Sequence, residues 1–212
     1  MKSTLKDLLG AVVTLVLPFS VGAASADGYV VTLEQIGPNV VATGSGAINL
    51  TGLVLAGTAN SNGAVMTPFL GFIDTGPTSS VPLVGFKGIT GPTNFGAGSS
   101  TLASSGMGND VEIAGTDPQL GTPILFLPSG YVSESALSDS AIYDFQTFAS
   151  LGVIPGTYVW TWGTGTDQSF TLEIVPAPIV PAPIVGAGLP GLIFGAGGLL
   201  GWMRRKRTVA AV

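Results

Sequence analysis

The chain contains no cysteine and no histidine. Those two absences exclude a disulfide framework, thiol chemistry, a histidine metal centre and any histidine-based catalytic triad. Positive charge is the next scarcity. Of seven basic residues, six lie near the ends: Lys2, Lys6, Arg204, Arg205, Lys206 and Arg207. Between Asp27 and Glu173 the only basic residue is Lys87, set against eleven carboxylates, so this stretch carries a formal charge of about −10. Nucleic acid and anionic lipid are poor partners for such a body. Glycine is abundant (32 residues), with many Ser and Thr, while charged residues make up only 9%. That composition favours a β-rich extracellular domain over a helical cytosolic one.

The two ends read as address signals. Lys2 and Lys6 form a positive leader, Leu8 to Val21 is apolar, and Ala24-Ser25-Ala26 supplies small residues at Ala24 and Ala26. This order is that of a secretory signal peptide over residues 1–26, cleaved before Asp27. At the other end, residues 184–203 hold no charge over a stretch that, as a helix, is about 30 Å long and matches the hydrocarbon thickness. Trp202 stands at its end, and Arg204-Arg205-Lys206-Arg207 follows as a stop-transfer cluster. The positive-inside rule keeps residues 204–212 cytoplasmic and the body outside, as the leader also requires. The spacings Gly191–Gly195 and Gly197–Gly201 allow close helix approach, or reflect glycine richness alone.

Ahead of this helix the unit Val-Pro-Ala-Pro-Ile occurs twice, placing Val175, Pro176, Ala177 and Pro178 before Pro181, Ala182 and Pro183. Proline at this spacing favours an extended, stiff spacer over residues 175–183. A Pro-containing motif, an apolar helix and a terminal Arg/Lys cluster together resemble the PEP-CTERM sorting domain of Gram-negative bacteria. The resemblance covers residues 175–207, with Pro-Ala-Pro where that family has Pro-Glu-Pro. It implies recognition by an exosortase, a membrane cysteine transpeptidase that cleaves near the motif, and association with exopolysaccharide at the cell surface. The stretch Leu151-Gly152-Val153-Ile154-Pro155-Gly156-Thr157-Tyr158 also resembles small β-rich domains that precede other PEP-CTERM tails.

The body, residues 27–174, reads as short strands divided by Gly, Pro, Asn and Ser turns. Candidate strands are Tyr29–Ile36, Val40–Ser45, Ala47–Leu50, Ala64–Ile73, Val81–Phe86, Val111–Ala114, Pro123–Leu127, Thr157–Trp162 and a return from Phe170 to Ile174. Tyr29, Val31 and Leu33 alternate onto one face, and Gly37-Pro38-Asn39 turns the first hairpin. Thr147 is placed to cap one helical turn. The expected fold is all-β, a β-sandwich or jelly-roll-like single domain.

Candidate sites are few. Tyr158, Trp160 and Trp162 share one strand face, which reads either as core or as a stacking platform for sugar. Asn109-Asp110-Val111-Glu112 and Asp139…Asp144 read either as solvated surface acids or as oxygen ligands for Ca²⁺. No metal site, cofactor or catalytic residue is assigned. A Ser/Lys pair has only Lys87 to draw on, and nothing selects a carboxylate pair for glycoside hydrolysis. The expectation is an exported, non-catalytic surface or matrix protein, anchored by its C-terminal helix in the inner membrane with the body in the periplasm, or released to the cell surface. The alternatives are a carbohydrate- or Ca²⁺-binding surface module and a secreted glycoside hydrolase.

Overall fold

A computed structural model describes residues 28–176. The expected leader, the spacer beyond Pro176, the apolar segment 184–203 and the basic tail lie outside the described residues. Among the described residues no helix is long and apolar enough to cross a membrane.

Thirteen strands are described: β1 (Tyr29–Ile36), β2 (Asn39–Ala47), β3 (Val54–Asn60), β4 (Val65–Thr67), β5 (Phe72–Thr75), β6 (Pro82–Lys87), β7 (Thr101–Leu102), β8 (Ser105–Gly108), β9 (Val111–Ala114), β10 (Ile124–Pro128), β11 (Ala136–Tyr143), β12 (Gly156–Thr161) and β13 (Ser169–Ile174). One short helix, α1 (Phe148–Leu151), precedes β12. Six strands pair in the order β12-β13-β1-β2-β11-β8 and seven in the order β3-β6-β10-β9-β5-β4-β7. The two sheets make the architecture a β-sandwich in its coarse outline.

Alternation explains the core. In β1 the side chains of Tyr29, Val31 and Leu33 are buried, as their period-two spacing requires of a strand with one inward face. Trp160 of β12 pairs with Phe170 of β13. Their rings meet edge to face at 5.7 Å, and Tyr29 stacks on Phe170 at 5.4 Å. The second sheet contributes Ile73, Val111, Ile113, Leu125 and Leu127 to the same cluster.

Local chemistry sets the turns. Ile36 pairs directly with Asn39, so Gly37-Pro38 is a two-residue turn rather than the three-residue connection expected. Gly37 takes φ +59°, the positive φ that the first central position of such a turn needs. Thr147 caps α1 as expected: its Oγ1 accepts from the Ser150 amide at 3.1 Å, while the Thr147 amide donates to Ser150 Oγ at 2.8 Å.

Three differences from the strand pattern have physical reasons. Residues 48–50 are not a strand; the Leu50 amide turns to the Ser133 hydroxyl instead. The run Ala64–Ile73 is broken by a 3-10 turn at Pro68–Leu70, where proline supplies no amide for a ladder and Gly71 exits at φ +61°. Strands β3, β7, β8 and β11 were not expected. β3 is almost wholly exposed and so carries no apolar period to read.

The aromatic packing gives a direct test. Trp160→Ala leaves a large cavity between β12, β13 and β1 and is expected to cost roughly 3–5 kcal/mol in urea unfolding. Val132→Ala, at an exposed side chain, is expected to stay within about 0.5 kcal/mol of the parent.

Candidate functional site

The short ladder between β5 and β9 gathers acids. Asp74 and Glu112 are direct cross-strand partners, so both side chains leave the same side of the sheet. Asp110, just before β9, joins them, and one carboxylate oxygen from each lies within 4.8 Å of the others. Ile73 and Ile113, the next pair along this ladder, belong to the apolar core. All four residues of β9 are buried, which means both of its sides are covered. The acids are consequently out of water: Asp74 is 0% exposed, Asp110 2% and Glu112 7%.

Two of the acidic segments singled out in the sequence thus lead into the interior rather than the surface. Asp110 and Glu112 come from the first, and Asp139 (4% exposed) from the second. Asp144 stays exposed, and Asn109 Oδ1 accepts from the Ser138 amide at 2.9 Å, serving the connection to β11. Asp74 was not foreseen. Its signal is an acid amid the apolar strand residues Phe72-Ile73, in a body with almost no positive charge to pair it.

No N–H or O–H donor meets either carboxylate oxygen of Asp74. Burial, then the charges of Glu112 and Asp110, push the Asp74 carboxyl up to about 10. Burial and the charge of Asp110 raise Glu112 to about 8. Asp110 is raised by burial as well, with the Ser61 hydroxyl and Asp74 acting against the rise. The buried Tyr143 hydroxyl also lacks a partner; burial and the charge of Asp74 oppose its ionisation.

Asp139 sits in a different setting. On β11 it receives a short hydrogen bond from the Tyr29 hydroxyl. Burial pushes its carboxyl up to about 6, against the opposing hydrogen bonds of Tyr29 and Thr75. Gly44 makes room for this pair, because a Cβ there would strike both the Tyr29 hydroxyl and the Asp139 carboxylate.

The aromatic stripe proves to be core. Trp160 and Trp162 are buried, and their indole N–H groups donate to the carbonyls of Pro92 at 2.9 Å and Asn49 at 2.8 Å. Tyr158 is half-buried and donates to the Ile154 carbonyl at 3.0 Å. With both indoles enclosed, the stripe presents no platform for a sugar, which corrects the ligand-stacking alternative for Tyr158, Trp160 and Trp162. Of the spacer motif, Val175 and Pro176 are described, both exposed; the Val175 amide donates to the Leu33 carbonyl at 3.0 Å. Ala177, Pro178, Pro181, Ala182 and Pro183 lie outside the described residues, as do Ala24, Ala26 and Arg204 to Arg207.

Two shallow surface depressions stand apart from the acids. One of about 360 Å³ is lined by Pro155, Thr157, Glu173 and Val175 among others. The second, about 200 Å³, lies by Thr58, Asp117, Leu120 and Phe126. Each has a single carboxylate in its lining, so neither brings together the acid pair that glycoside hydrolysis needs. The chemistry open to Asp74, Asp110 and Glu112 is to hold protons or a hard cation.

A pH dependence follows from Asp139. In the folded chain it keeps a proton that the unfolded chain releases near pH ~4. The associated stability is complete below that pH and is lost as pH rises through about 6. Glu112 and Asp74 act in the same direction up to about 8 and about 10. In chelator, the urea midpoint is expected to fall between about pH 5 and about pH 8; a rising midpoint would contradict this assignment. Comparison with protein-family models, with curated proteins and with solved structures finds no match to this chain.

Proposed function

We propose that this protein is an exported, non-catalytic module of the bacterial cell surface or extracellular matrix. It is delivered by its leader, held by its C-terminal apolar segment and processed at a PEP-CTERM-like tail. An exosortase is the proposed processing partner and exopolysaccharide the proposed neighbour. The observation that carries this reading is how closely the folded segment fits between the two address signals. β1 begins at Tyr29, soon after the cleavage point expected at Ala26, and β13 ends at Ile174, just before the first Pro-Ala-Pro. Every described strand lies between the two expected signals, from Tyr29 to Ile174. The absence of cysteine and histidine and the scarcity of basic residues leave the body few means of catalysis, which also favours a structural role.

The test is fractionation with protease shaving of intact and permeabilised cells, followed by mass spectrometry of the mature chain. The expected N-terminus is Asp27, with the body accessible from outside the cytoplasm. Processing at the tail gives a C-terminus between Val175 and Val185. A full-length chain recovered from the cytosol with its leader intact would overturn the proposal. An exported chain that retains Arg204 to Arg207 would reduce the tail to a simple anchor.

A further inference from the structure

We infer that Asp74, Asp110 and Glu112 form a binding site for one divalent cation of the calcium class, filled as the domain folds. This inference goes beyond the surface role and stands whether or not the tail is processed.

The first support is geometric. Oxygens that share a calcium ion at ~2.3–2.6 Å are separated from one another by no more than about 5 Å. One carboxylate oxygen from each of Asp74, Asp110 and Glu112 meets that limit, the three lying within 4.8 Å of one another. Asp74 and Glu112 come from adjacent strands whose register is fixed by the pairs Ile73–Ile113 and Thr75–Val111 on either side of them, and Asp110 immediately precedes β9.

The second support is independent of the clustering. Asp74 is wholly buried, yet no N–H or O–H donor meets either of its carboxylate oxygens; Asp110, at 2% exposure, has only the Ser61 hydroxyl and the Asp74 carboxyl acting on it. Buried oxygens are almost always satisfied, so the two of Asp74 call for a missing partner. Among the described residues no cationic side chain is that partner. Lys87 is the only basic residue between Asp27 and Glu173, and it is exposed at the end of β6.

The donor set then chooses the ion. With no histidine or cysteine in the chain, only oxygen is offered, which selects a hard cation over zinc or copper. Magnesium holds several of its waters and needs a near-octahedral shell. A buried site built from carboxylates suits calcium better, since calcium accepts carboxylates in one- or two-oxygen mode and tolerates irregular geometry. Because two strands and the segment before β9 must be in register for the oxygens to converge, binding is coupled to folding and stabilises the folded chain.

The rival is that the three carboxyls keep protons instead. Titration of the purified full chain in detergent with CaCl₂ at neutral pH separates the two, read by calorimetry, thermal melting and the infrared carboxyl band. Expected are one calcium per chain, a melting temperature that climbs with free calcium and returns with EDTA, and loss of the protonated-carboxyl band on calcium addition. MgCl₂ should give a smaller shift. Glu112→Gln should weaken calcium binding by at least about tenfold, while Asp144→Asn, at an exposed acid outside the cluster, should leave it unchanged. Asp74→Asn should do the same as Glu112→Gln if it folds; the titration of the parent chain does not depend on either variant. No heat, no melting shift and an unchanged protonated-carboxyl band at millimolar calcium would overturn the site in favour of stored protons.

Discussion

Carboxylates removed from water, with no cationic side chain among the described residues to meet them, set the terms for the rest of this structure. An isolated buried carboxylate is far too costly to persist as such, so its charge must be taken up by a proton or by an ion. Here the debt is concentrated on one ladder, where Asp74 faces Glu112 and Asp110 stands beside them. Everything around that ladder is arranged to keep water away: Ile73, Val111 and Ile113 join the apolar core, and both sides of β9 are covered. A mere surface spacer has no need of such a cluster, since three apolar residues would pack there at less cost. What the acids provide is a dependence of the fold on its surroundings.

The aromatic stripe works in the opposite way. Trp160, Phe170 and Tyr29 join β12, β13 and β1 through ring contacts, and each indole finds a carbonyl for its N–H. That region needs nothing from outside the chain. One end of the polar budget is thus closed within the protein, and the other is left to be met from solution. Tyr29 touches both, since its ring lies on Phe170 and its hydroxyl bonds Asp139.

Much of the fold was legible in the sequence wherever one face of a strand is apolar and the other is not. Tyr29–Ile36 and Val111–Ala114 were read with their observed limits, and the turn capped by Thr147 was recognised. β11 escaped because its inward row runs Leu137, Asp139, Ala141, Tyr143, so that a buried acid interrupts the hydrophobic alternation at its centre. β3 escaped for the converse reason, having almost no buried side to reveal it. The candidate site was half legible. Asp110, Glu112 and Asp139 stood out as acid clusters, but their burial and the arrival of Asp74 depend on strand register, and no local pattern fixes which strands will be neighbours.

The parallel pairing of β1 with β13 has a mechanical consequence. β13 is flanked on one side by β1 and on the other by β12, and its last residues run directly toward the spacer. A pull applied through Val175 is directed along the strand, so the hydrogen bonds to both neighbours are loaded together in shear rather than opened one at a time. Were the body held through its C-terminus, as proposed, the strand bearing the load would have neighbours on both sides to resist it.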